Sequence, residues 1–200
     1  MDRRLLIGVT HFYERQDVEN VLSCLRENEQ PLRVGIELPD DYKEREDLRI
    51  GFPTFTKLVH YFIRTIGPTI IPLDETKLSD ERFCTKAALG IIKNETQKKF
   101  YEEKTGLEQH LAGMIGYAAP ESTLTLVHYI KRFRRVAELI EETNQDQLQK
   151  RFDDLVKASD KVMIERIIKH DPEIVVVGGA HARNIITSLP RYRYLQFATF

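Results

Sequence analysis

The chain has 200 residues, 42% apolar and 30% charged, with 30 basic and 31 acidic side chains and a net charge of −1. That length is one domain with room for a core, and interleaved charges of near-zero sum argue against nucleic-acid or anionic-membrane partners. No apolar run approaches the roughly 18 residues needed to span a bilayer, and the short N-terminal run, broken by His11, reads as a strand rather than a signal peptide.

In chain order, residues 3–9 read as a first apolar strand and residues 14–29 as a helix, with Val18, Val21, Leu22 and Leu25 along one face. Residues 32–38, LRVGIEL, form a second strand closed by Pro39. A strand, a helix of about four turns and another strand are the sequence form of a βαβ unit with parallel strands. Pro53 suits the first turn of a helix that Gly67-Pro68 ends, and residues 69–73, TIIPL, make a third strand whose internal proline keeps it short or near an edge. Almost a hundred residues then read as helical. Leu124, Val127, Ile130, Phe133, Ala137 and Ile140 step by threes and fours, as do Leu148, Phe152, Leu155 and Ser159. Residues 173–177 resume the sheet as a near-continuous apolar run, the mark of a strand covered on both faces. Residues 192–200 close it. The expected fold class is α/β: one domain over residues 1–200, with a mostly parallel central sheet flanked by helices and a helical insertion at 75–172, before the fourth strand. Cys24 and Cys84 fall in predicted helices as small apolar residues, which suits reduced thiols and a cytoplasmic protein.

Ligands of parallel α/β sheets bind beyond the carboxyl ends of the strands. At those ends stand His11, Glu37, Asp74 and His181. Such groups are costly to bury unless paired or bound. The two histidines share a spacing, Gly8-Val9-Thr10-His11 and Gly178-Gly179-Ala180-His181, each following a strand. The glycine lets the strand exit without a Cβ, and the histidine is set at the head of the next helix. Two imidazoles and a carboxylate suit a divalent transition metal with open positions, with Glu37 either a ligand or the base that takes a proton from water. Asp74 is a helix cap or a group that orients a histidine. Arg183 is a solvated helix arginine or a partner for a substrate carboxylate. Asp40 and Asp41 read as helix-start residues, and His60, His110, His128 and His170 as surface or packing residues.

The segments LIGVTHFYERQDVENV, RVGIELPDDY and IVVVGGAHARNI, in that order, resemble the paired Gly-X-X-His motifs and strand-end glutamate of the TraB/PrgY family, related to the Tiki proteins. The resemblance covers about forty residues at each end. It implies a metal-dependent protease-like hydrolase with His11, Glu37 and His181 as its catalytic and metal-binding residues, and manganese, cobalt or zinc as the metal. Two departures stand out. Ser159, Asp160 and Lys161, in ASDKVMIER, occupy the place of an expected arginine, a role open to Lys161 or Arg166. Arg183-Asn184 stands where a small residue or glycine is expected. The expected substrate is a peptide or a small amide or ester, with Arg183 and Asp74 as substrate-binding candidates and homo-oligomerisation left open. Two other readings remain: a protein that sequesters a peptide or small ligand without turnover, and a metal-free esterase-like hydrolase with a histidine as base.

Overall fold

Five short runs, four of them largely aliphatic, lie side by side in a computed structural model of the chain, which describes residues 4–9, 19–23, 33–44, 57–59, 67–93 and 123–196. They are β1 (Arg4–Val9), β2 (Arg33–Pro39), β3 (Thr69–Asp74), β4 (Ile174–Gly178) and β5 (Tyr192–Gln196). All pairings are parallel, in the order β3-β2-β4-β1-β5. The expected α/β class and parallel sheet are therefore present, each strand starting within a residue of its expected position. Pro72 lies on an edge strand, where a missing N–H is tolerated. Residues 197–200 of the expected last strand lie outside the described residues.

Strand β4 fills the slot between β1 and β2, and all five of its residues are buried. Alternation sends its side chains to two cores. Leu5, Ile7, Val34, Ile36, Ile174 and Val176 face Val21, Leu58 and Val59 of the helical stretches at 19–23 and 57–59. Leu6, Leu73, Val175 and Val177 face the other way. Burying one such side chain contributes about 1.5–3 kcal/mol, so a strand covered on both faces has no position for a polar group without a partner.

Between β3 and β4 the described residues form three helices: α1 (Thr76–Lys93), α2 (Thr123–Glu142) and α3 (Gln145–His170). Side chains 123–130 and 133, which include four of the six residues of the expected stripe on α2, lie outside the described residues. A reciprocal capping box starts α3: the Gln147 amide N–H donates to Asn144 Oδ1 at 2.9 Å, and the Asn144 amide N–H donates to Gln147 Oε1 at 3.0 Å. The helix stops at Asp171, which takes a left-handed φ of 47°. Its N–H donates to the Ile167 carbonyl at 2.8 Å before Pro172 prevents continuation. Met163 and Ile167 of α3 complete the second core together with Ala182 and Ile185 of α4 (Gly179–Ile185). Among the described residues, no helix is long and apolar enough to cross a membrane.

Packing divides the chain into two compact units: Met1–Thr76 with Ala158–Phe200, and Lys77–Lys157. The first contains the sheet. The second is built on Cys84, Ala88, Leu89, Val136, Leu139 and Leu148. Its main ion-pair group centres on Glu81, which accepts from Arg135 at 2.9 Å and Arg151 at 2.6 Å. Burial pushes the Glu81 carboxyl up, but the bonds from the two arginines outweigh it and hold the group below its ordinary value of 4.5. A carboxyl lowered by folding contributes stability above its unfolded pKa and loses it as pH falls through the folded value. Acidification below 4.5 should therefore weaken the wild type more steeply than Glu81→Gln, as read by denaturant midpoints across that range.

Gly8 explains how closely α4 lies on β1. A Cβ there would meet the Ala182 Cβ, the Gly179 Cα and the Tyr194 hydroxyl, each at 3.2 Å. Gly8→Val should lower stability by about 1–3 kcal/mol through overpacking, measured by urea denaturation.

Candidate active site

The carboxyl end of β4 passes into α4 with no intervening residue, because Gly178 ends the strand and Gly179 begins the helix. His181 thereby stands in the first turn of α4, beyond the strand ends, and is 5% exposed. Glu37, on the neighbouring strand β2, is 0% exposed. Val34, Ile36 and Leu38 all face the first core, so alternation turns Gly35 and Glu37 to the face covered by α3 and α4. The β2–β3 register shifts between Ile36 and Pro39, the kind of irregularity that re-aims a side chain at a sheet end.

The two residues meet in a chain of polar contacts. The Gly178 N–H donates to Glu37 Oε2 at 2.6 Å. Glu37 Oε1 lies 3.5 Å from His181 Nε2, and His181 Nδ1 lies 2.5 Å from Asp160 Oδ1. Asp160, on α3, completes the chain by accepting from Asn184 Nδ2 at 2.8 Å through Oδ2. With a carboxylate against Nδ1, that nitrogen carries the proton and donates, and Nε2 is turned to Glu37. The separation of 3.5 Å between Nε2 and Oε1 exceeds an ordinary N–H···O bond. It is close to the roughly 3.3 Å between two ligands of a tetrahedral metal with bonds of about 2.0–2.1 Å. An imidazole fixed through its other nitrogen by a carboxylate is the usual support of a metal-ligating histidine. The donor set therefore fits a divalent metal at two positions. His11, the expected third donor, lies outside the described residues, and among the described residues no three such donors come together.

The other expected residues fall at the same sheet end in different settings. Asp74 is 1% exposed and accepts from Ser159 Oγ at 3.3 Å and from the Glu75 N–H at 3.0 Å. Ser159 precedes Asp160 on α3, so the two neighbours receive one strand end and one imidazole. Arg183 is exposed on α4, with Nε donating to the Gly179 carbonyl at 3.3 Å. Burial pushes the Tyr194 phenol up against the pull of the nearby Arg183 cation. Asp40 pairs with both terminal nitrogens of Arg166, at 2.5 and 2.9 Å, and Asp41 accepts from Thr76 Oγ1 at 2.9 Å. Arg166 Nη1 also donates to the Pro72 and Asp74 carbonyls, each at 3.1 Å. One guanidinium thus ties the ends of β2 and β3 to α3.

Asp160 and Asn184 were not expected at the site. A signal for Asp160 exists in the sequence: Leu148, Phe152, Leu155 and Ser159 continue by threes and fours to Met163 and Ile167, so Ser159-Asp160 places polar groups on a buried stripe. No family model, curated protein or solved structure matches the chain.

Glu37 supplies the acceptor for a buried backbone N–H. Glu37→Ala should cost about 1–3 kcal/mol for the unsatisfied Gly178 donor alone. Glu37→Gln retains an oxygen there and should be the more stable variant, a ranking read from denaturant midpoints.

Proposed function

We propose that the chain is a metal-dependent hydrolase of the TraB/Tiki kind, acting on a peptide or a small amide or ester at the carboxyl ends of its strands. The observation that carries this reading is the line Asp160–His181–Glu37, with a carboxylate at 2.5 Å on one side of the imidazole and at 3.5 Å on the other. A purely structural core has little use for two carboxylates around one buried imidazole, because each charge is expensive to desolvate.

His181 through Nε2 and Glu37 through Oε1 are the residues that would hold the cation, with His11 as the third by resemblance. When bound, manganese, cobalt or zinc supplies Lewis acidity that polarises the carbonyl under attack and acidifies water. Asp160 keeps the proton on Nδ1 of His181. Glu37 divides its work: Oε2 is anchored by the Gly178 N–H, which leaves Oε1 for the cation. Arg183, exposed on α4, offers a cation for a substrate carboxylate. Cys84, buried and unoxidised, with burial pushing its thiol up to about 12, suits a cytoplasmic setting.

The same Asp160–His181 pair also supports a metal-free reading, with imidazole as general base for ester cleavage. Calorimetric titration of metal-stripped protein with manganese, cobalt and zinc, followed by a peptide and ester turnover screen, separates the two. The expected result is stoichiometric binding that His181→Ala abolishes and Glu37→Gln weakens, with turnover lost on chelation. Turnover that survives chelation would establish the metal-free esterase. Saturable ligand capture without product would establish sequestration.

A further inference from the structure

We infer that Asn184 is a positioning residue of this site: by holding the far oxygen of Asp160, it fixes which nitrogen of His181 carries the proton. The inference rests on the reading of His181 Nε2 as the working nitrogen. The terminal torsion of an aspartate is broad, so a rotamer alone does not aim Oδ1 at an imidazole. A second bond on the other oxygen does. Asn184 Nδ2 supplies it at 2.8 Å, while His181 Nδ1 meets Oδ1 at 2.5 Å. His181 and Asn184 are three residues apart on α4 and hence neighbours on one helix face. One face of α4 therefore grips both oxygens of a carboxylate presented by α3.

The protons follow from these donors. An amide nitrogen only donates, so Asp160 accepts from Asn184 and is left as an acceptor for Nδ1. Nδ1 then carries hydrogen, and the Nε2 lone pair is directed toward Glu37. At the opposite end, the far oxygen of Glu37 is held in the same manner by the Gly178 N–H at 2.6 Å. That donor belongs to the backbone and is present whatever the side chain. The donor on Asp160 depends on Asn184 alone for its chemistry, at a position where the resembled family expects a small residue. Asn184 is exposed, so replacing it leaves both cores intact.

The test is nitrogen NMR of 15N-histidine-labelled, metal-free protein at about pH 10, where an unperturbed imidazole is neutral. The comparison takes the wild type, Asn184→Leu and Asn184→Gln, with cobalt titrations of the same proteins at neutral pH. The wild type should show His181 protonated at Nδ1. Asn184→Leu should show a mixture that includes the Nε2-protonated form, with cobalt affinity reduced about tenfold, and Asn184→Gln should restore much of the wild-type pattern. An unchanged tautomer in Asn184→Leu would overturn the inference, as would an equal change in Asn184→Gln, which would trace the effect to helix shape rather than to the donor. If the tautomer shifts in Asn184→Leu but wild-type protein takes up no cobalt, the positioning role stands and the metal reading falls. If cobalt binds and the tautomer stays fixed, the reverse holds.

Discussion

Taking a carboxylate out of water costs several kcal/mol even after the surroundings relax, and Glu37 sits at 0% exposure on a sheet face otherwise covered by aliphatic side chains. The carboxyl end of the sheet is organised around meeting that cost. β4 ends on a glycine whose N–H points into the carboxylate, α4 begins at once, and the imidazole it carries faces the second oxygen. The tight exit in turn brings α4 to 3.2 Å from where a Cβ on Gly8 of β1 would stand. A cluster of small residues, a strand-to-helix junction and a buried histidine are thus consequences of one desolvated charge.

The sheet is largely legible in the sequence because four of its five strands are short, largely apolar runs. RLLIGV, RVGIELP and IVVVG are buried nearly throughout, and a continuous apolar run is what two covered faces require. Glu37 and His181 were legible for the converse reason, as polar groups placed where such runs end. Asp160 was harder to read. It lies on a 26-residue helix rich in charge, where an acidic residue is ordinary, and only its phase relative to Met163 and Ile167 distinguishes it from the solvated ones. Asn184 and the Asp40–Arg166 pair depend on contacts between elements far apart in the chain, separated by 24 and 126 residues. No local pattern encodes a pairing of that kind.

The second unit uses charge differently. The bonds of Glu81 to Arg135 and Arg151 involve side chains between 23% and 42% exposed, where ion pairs contribute little beyond about 1 kcal/mol. Its stability rests on the aliphatic cluster around Ala88, Leu139 and Leu148, each at most 1% exposed. Cys84 belongs to that cluster as a small apolar group: it is buried, donates weakly to the Arg132 carbonyl, and has a thiol too basic to be a nucleophile at neutral pH. The buried carboxylates Glu37, Asp74 and Asp160 stand at the end of the sheet, whereas the charged residues buried in the second unit, among the described residues, are the arginines Arg82 and Arg132.

The backbone pairing between β2 and β4 runs from Val34–Ile174 to Ile36–Val176, and the Gly178 N–H is then handed to a side chain. That amide hydrogen is consequently a spectroscopic witness inside the protein. Its resonance position responds to the charge carried by Glu37, the group it donates to. Any event at the imidazole that withdraws electron density from Glu37 is written into a single backbone signal, readable without a probe, a substrate or a label at the site.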